Sequence, residues 1–282
     1  MLAPRLLLSC LALAASTMVG FGQSELTPPE APVVSRCIAI AQSTPGATYA
    51  NLTPDYRPTA MRTGASAGTV EITYAGHSTY LIESPAGVRI ATDFSAVYGA
   101  EFHPRVATMN KAHRTHYTMT PPPGIDHVLH GWGDNGTPAQ IGLQVDDVLV
   151  RNVTTDIRNW DGEMERDGNS IFIFEVADLC IGHLGHLHTK LSDQQFGKIG
   201  RLDILMVPID GGLTQNIGAM SDIAKRLYSS VILPMHRHSM TIGEFTDLMG
   251  KDFAVDYRGG RSLRVSVDTL PRQPTIIVLD GV

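Results

Sequence analysis

The sequence predicts an α/β fold with sheets packed between helices, and two observations carry that prediction. From residue 69 onward the chain is filled with short runs rich in β-branched and aromatic residues. Helical patterns appear only late, each lying between two such runs. Strands first, then strand alternating with helix, is the order expected of sheets covered by helices. No repeat at fixed period competes with this reading.

In chain order, "TVEITYA", "STYLIES" and "GVRIATD" form a meander of three short strands, the first two separated by Gly76-His77. Further strands are predicted at "IDHVLHGW", "IGLQVDDVLVRNV", "SIFIFEV", "LCIGH", "LDILMVPID", "SVILPMH", "SLRVSVD" and "TIIVLD". Helices are predicted at "LSDQQFGKIG", "NIGAMSDIAKRLY" and "TIGEFTDLMG".

Ahead of this domain, residues 23–68 are rich in Pro, Ala, Ser and Thr and show no sustained period. They read as an extended arm with one short helix around "VSRCIAIAQ". Residues 1–22 read as a secretory signal: Arg5, then the apolar "LLLSCLALAASTMVGFG", then small residues before Gln23. The apolar run is shorter than the roughly 20 residues a membrane span needs, so export without a stable membrane anchor is expected, to a periplasm or an extracellular space. The run before Cys10 is too short for a lipoprotein signal, so no lipid is expected. Removal of the signal leaves Cys37 and Cys180. They could pair in an oxidising compartment, but Cys180 inside "DLCIG" reads more simply as a small buried hydrophobe.

A length of 282 residues at 43% apolar content suffices for a sizeable core. The net charge is -6 and no cluster of Lys or Arg stands out. That excludes a nucleic-acid partner, which requires a basic footprint. A small-molecule substrate is the expected partner.

The polar chemistry gathers on histidines. All eleven fall between residues 77 and 238, several where a strand ends: His77 after "TYAG", His183 after "LCIG", His236 after "VILPM". His113 and His116 share the loop "NKAHRTHYT", while "GHLGHLHTK" brings His183, His186 and His188 into six positions. Strand-end loops on a rigid sheet are where sites are assembled, and imidazole is the commonest ligand for transition metals. His103, His127, His130 and His238 read as structural. Trp132, Trp160 and Tyr117 suit a pocket wall and ordinary packing equally. Asn169 suits a cleft or a turn.

The order "YAGHSTYLIE", "VRIATD", the His loop, "GHLGHLHTKLSDQQFGKIGRLDILMVPIDGG" and "VILPMH" resembles the metallo-β-lactamase-fold superfamily. Within it, the chain is most similar to metal-dependent hydrolases related to L-ascorbate-6-phosphate lactonase. The resemblance implies that residues 69–282 form an αββα sandwich with a metal site at one edge, between the sheets. The superfamily loop H-x-H-x-D-H aligns with Lys111, His113, Thr115 and His116, so its first histidine and its aspartate are replaced. The later "HLGD" element, whose aspartate bridges two metals, reads His183-Leu184-Gly185-His186. The last histidine is retained as His236.

Two cations a few ångströms apart repel, and a neutral imidazole cannot bridge them as a carboxylate does. The resemblance therefore implies one ion, zinc or another transition metal, held by His113, His116, His186 and His236. His183 and His188 are spare ligands or supports. Asp93 orients the ligating histidines, His77 lines the cleft or bonds a neighbouring loop, and Asp210 closes a strand at the site edge. An ammonium is repelled by a metal, so Lys111 is expected to swing away. The leading expectation is an exported metal-dependent hydrolase of an ester, lactone, amide or phosphoester. The alternatives are a non-catalytic metal- or ligand-binding protein of the same fold, and a protein whose histidines bind a redox metal.

Overall fold

β-Branched runs set out two sheets. A computed structural model describes residues 34–38, 68–134, 137–159 and 161–282. The signal, most of the arm and Trp160 lie outside these residues. The first half of the domain supplies β1 (Val70–Gly76), β2 (Thr79–Glu83), β3 (Arg89–Ala91), β4 (Val106–Met109) and β5 (His127–His130). With the late strand β13 (Ser262–Val265) they form a six-stranded sheet in the order β13-β1-β2-β3-β4-β5.

The second sheet takes β6 (Gly142–Val145), β7 (Val148–Arg158), β8 (Met164–Val176), β9 (Leu179–His183), β10 (Ile204–Pro208), β11 (Val231–Met235), β12 (Ala254–Tyr257) and β14 (Thr275–Val278). Its order is β12-β14-β11-β10-β9-β8-β7-β6. β9, β10, β11 and β14 run parallel. Their crossovers carry α1 (Asp193–Ile199) between β9 and β10, α2 (Ile217–Leu227) before β11 and α3 (Ile242–Met249) after it. Each helix starts where a side chain caps it: Ser192 with Gln195, Asn216, and Thr241 with Glu244.

Alternation along β8 explains why "SIFIFEV" is apolar throughout. Phe172 and Phe174 face the core between the sheets, with Ile72, Ile181, Met206 and Leu233. Ile171 and Ile173 face the other way, against a layer containing Ile199, Met220, Ile223 and Phe245 from the three helices. The strand is buried on both faces, as a central strand of a covered sheet must be. On the outer face of the smaller sheet, Phe94, Ala107 and Met109 are covered by Phe102, Tyr117, Ile125 and Trp132 from loops and a short 3-10 turn. Replacing Phe174, which is fully buried, by alanine is expected to destabilise the protein by about 3–5 kcal/mol. Urea unfolding of metal-free protein measures this, and a change below about 1 kcal/mol would contradict the assigned core.

Of "VSRCIAIAQ", where a short helix is expected, residues 34–38 are described and end in a bend at residues 36–38; the rest lies outside the described residues. One expectation is corrected. Cys180 is not a free buried hydrophobe, since it is disulfide-bonded to Cys37 across 143 positions. The bend puts Cys37 against the start of β9 because its neighbours are held too. Glu175 accepts hydrogen bonds from Ser35 Oγ and the Arg36 backbone, and Arg201 N–H donates to the Cys37 carbonyl at 2.7 Å.

Candidate metal centre

The carboxyl ends of parallel strands meet at one edge of an α/β sheet, where ligands bind in such folds. Here both sheets contribute. β9 ends at His183, β10 ahead of Asp210 and β11 just before His236; β3 and β4 end just before Asp93 and the loop holding His113 and His116. The β1–β2 turn brings His77. His77, Asp93 and His236 all have positive φ, at 53°, 42° and 50°. Residues other than glycine rarely accept this conformation, and such strain clusters at functional sites.

The ring nitrogens of His77, His113, His116 and His236 offer ligand atoms that all lie within 4.8 Å of one another. His77 Nε2 is 3.3 Å from His116 Nε2, and His113 Nε2 is 3.5 Å from His236 Nε2. Nitrogens bound tetrahedrally to one ion at zinc–imidazole distances stand about 3.3–3.4 Å apart. The far nitrogens are held from behind. His116 Nδ1 lies 2.7 Å from Asp93 Oδ2, His236 Nδ1 2.9 Å from Asp210 Oδ2, and His113 Nδ1 2.8 Å from Thr115 Oγ1. A carboxylate on Nδ1 keeps the proton there and turns the Nε2 lone pair inward.

Those carboxylates are fixed in turn. Asp93 also accepts from Asn110 Nδ2 at 2.8 Å, and the Asn110 carbonyl oxygen accepts from the Ser170 backbone at 2.7 Å. Asp210 accepts from the Gly212 and Thr214 backbones and from the Thr214 hydroxyl. Burial pushes the Asp210 carboxyl up, but the hydrogen bonds from His236, Thr214 and Gly212 outweigh it and hold the group well below the usual carboxylate range. Burial raises Asp93, opposed by His183 and the Asn110 bond. Burial, reinforced by neighbouring imidazoles, lowers His77 to about 4 and puts His116 and His186 well below the usual histidine value. These rings are neutral at pH 7, as ligation requires.

The remaining histidines of "GHLGHLHTK" divide by what their rings touch. The His183 ring, fully buried, bonds the Ser78 carbonyl through Nε2 and accepts from the Gly185 backbone at Nδ1. His188 accepts from the Arg158 backbone and bonds the Leu213 carbonyl. Both therefore brace loops around the centre. His186 differs: its two ring nitrogens are buried without a partner, and its ring centre lies 4.7 Å from that of His116 and 4.9 Å from that of His236. Gly185 makes this turn, at φ 62°, and a Cβ there would stand 2.4 Å from side-chain atoms of both Asn110 and Asn169. Lys111 points to Glu165 and is half-exposed. Asn169 is buried, accepting from the His186 backbone and donating to Thr155.

The residues fit a divalent transition metal. Asp93 and Asp210 have fully buried side chains, and neither pairs with a Lys or Arg among the described residues. The Asp210 carboxylate, held ionised by its hydrogen bonds and facing neutral imidazoles, calls for a positive charge beside it. Clustered imidazole nitrogens suit Zn, Cu, Ni or Fe(II) over Mg or Ca, and the buried His186 ring nitrogens, which no protein group bonds, fit a polar group held beside them.

The sequence of residues 71–236 matches the β-lactamase superfamily domain. Among solved structures, a protein from Thermotoga maritima named as a Zn-dependent hydrolase of the metallo-β-lactamase superfamily is similar in fold. The TM-score is 0.54 at 24% identity, over 74% of this chain and 98% of that one. A protein from Parabacteroides distasonis named as a metal-dependent hydrolase gives a TM-score of 0.55 at 14% identity, over 76% and 94%. No curated protein matches the chain significantly. Two stacked sheets with helices outside, a strand-end histidine cluster and a family match spanning more than half the chain lead to one assignment: this chain belongs to the β-lactamase superfamily and has the metallo-β-lactamase fold.

Proposed function

We propose that the chain is an exported metal-dependent hydrolase acting through a single transition-metal ion, zinc in the first instance. The observation that carries this reading is the convergence of histidine nitrogens from three strand-end loops, backed by buried Asp93 and Asp210. His113, His116 and His236 are the core of the ligand set. Asp93, Asp210 and Thr115 hold the Nδ1 side of these rings, so each Nε2 is presented without rotamer search. A metal held there supplies Lewis-acid polarisation of a carbonyl or phosphoryl oxygen and acidifies water to a nucleophile near neutral pH. His77 and His113 are only half-buried, so a substrate approaches from their side.

Ester, lactone, amide and phosphoester substrates all suit this chemistry, and the resemblance to the ascorbate-6-phosphate lactonase branch favours lactones and phosphorylated esters. Export is supported by the signal-like residues 1–22 and by the Cys37–Cys180 disulfide, since such bonds persist in oxidising compartments. A second reading, a metal-binding protein without turnover, is favoured by one observation: a fourth clustered imidazole can close a tetrahedral shell.

The test is elemental analysis of purified protein beside chromogenic ester, lactone, phosphomonoester and phosphodiester assays. One bound transition metal with turnover removed by chelation and restored by zinc is the expected result. One metal with no turnover on any substrate moves the assignment to the second reading. A metal-free protein that takes up no zinc and stays inert ends both.

A further inference from the structure

The ring-centre distances determine more than proximity. His113, His116 and His236 form a triangle, with 4.4 Å between the first two, 5.6 Å from His113 to His236 and 5.0 Å from His116 to His236. From those three centres in that order, His77 stands at 5.3, 5.0 and 4.1 Å. His186 stands at 5.2, 4.7 and 4.9 Å. Two rings with such similar distances would overlap if they lay on one side of the triangle. They therefore occupy opposite faces, and the five rings enclose a common space as a bipyramid.

The faces are not equivalent. The His77 face is the outer one, and its imidazole belongs to the group whose ligand atoms converge. His186, on the inner face, is outside that group although it is 5% exposed and has both nitrogens unpaired. The turn holding His77 is clamped from three directions. The His77 carbonyl accepts from the His236 backbone at 2.8 Å and from the Tyr74 hydroxyl at 3.1 Å, and His183 Nε2 bonds the Ser78 carbonyl at 2.8 Å. The first of these links joins the backbones of two residues whose rings point at the same spot. A positive φ at His77 is tolerated because these bonds over-determine the turn.

We propose that His77 is the fourth ligand of the metal in this chain, and that His186 faces the same ion from the opposite side without joining the four. This rests on metal binding at this centre, which both readings above share. It replaces the expected shell of His113, His116, His186 and His236 by one in which the first hairpin turn supplies an imidazole. Lys111 takes no part, since it is paired with Glu165. The shell is then four neutral imidazoles, with the Asp93 and Asp210 carboxyl groups bonded behind His116 and His236. His186 is left as the hydrogen-bonding group of the inner face, next to any small ligand that enters a fifth position.

The test uses full-length protein loaded with zinc or cobalt. X-ray absorption of the wild-type zinc form counts imidazoles directly, and four are expected. Chelator competition gives the zinc affinity of wild type, His77→Ala and His186→Ala. Loss of a supporting group behind a ligand weakens binding about 10–100-fold, so loss of a ligand should reach at least the upper end. His77→Ala is expected to weaken zinc binding by about 100-fold or more and to change the cobalt visible spectrum. His186→Ala should stay within about tenfold and keep the spectrum. Circular dichroism of the metal-free variants checks that each is folded; the imidazole count needs no variant. Three imidazoles, or a larger loss in His186→Ala than in His77→Ala, overturns the proposal while the metal-binding reading stands. A wild type that takes up neither ion removes the metal-binding reading and this proposal with it.

Discussion

Asp210→Ala is expected to lose about 3–5 kcal/mol of stability in the metal-free protein and to weaken metal binding about 10–100-fold. The Asp210 carboxylate is fully buried and accepts from four groups: His236 Nδ1, Thr214 Oγ1, and the backbones of Gly212 and Thr214. Alanine leaves these donors facing a cavity, and each buried unpaired donor costs about 1–3 kcal/mol. The loop after β10 would loosen, and Nδ1 of His236 would no longer keep its proton in place. Asp210→Asn separates the two effects. It retains the shape and one acceptor but removes the charge, so stability should fall less while metal affinity still drops. Urea titration of the metal-free forms reads the first effect and chelator competition the second. Wild-type values in Asp210→Ala for both would mean that the carboxylate neither organises the loop nor supports His236.

Most strands were legible because burial on both faces leaves no polar position to confuse the pattern. But β4 and β12, each only four residues long, were missed, and "IGLQVDDVLVRNV" proved to be the hairpin of β6 and β7. "SIFIFEV" and "LDILMVPID" read as strands and are β8 and β10 with a covered face on each side. The helices were legible from their period, and their exact starts are set by caps at Ser192, Asn216 and Thr241. That histidines gather at strand ends was also readable. Which of them point inward was not. His183, His186 and His188 are equivalent in spacing, yet His183 is turned aside by Ser78, 105 positions away, and His188 by Leu213. His77 looked like a turn residue because its nearness to His236 comes from pairing between distant segments. Asn110 and Asn169 are framework residues whose side-chain partners all lie 14 or more positions away, and short polar residues near strand ends give no signal of that. Gly185 offered the clearest missed sign: a glycine inside "HLGH" marks a tight left-handed turn between two crowded asparagines.

Removing the Cys37–Cys180 bond is expected to destabilise the protein by about 2–5 kcal/mol, lowering the melting temperature by about 5–15 °C. The crosslink closes a loop of 143 positions, so it restricts the unfolded chain strongly. It also fastens a segment whose other contacts are unequal in strength. The Arg36–Asp178 pair is exposed on both sides and contributes little. Glu175 is different: nearly buried, it accepts from Ser35 and Arg36 on the segment and from Arg151 Nε at 2.7 Å within the sheet. Arg151 in turn donates to the Lys198 and Ile199 carbonyls at the end of α1. When the segment leaves, Glu175 keeps Arg151 but must find water for its other acceptor positions. Cys37→Ser/Cys180→Ser should therefore melt lower, and α1 should exchange its amide hydrogens faster than α3, which lacks this link. Glu175→Gln in the oxidised protein should have the smaller effect, because the covalent bond holds the segment in place. Thiol titration of the denatured wild type should find no free thiol from these two residues. Two free thiols in protein purified from an oxidising compartment, or an unchanged melting temperature in the double variant, would refute the anchoring role given to this bond.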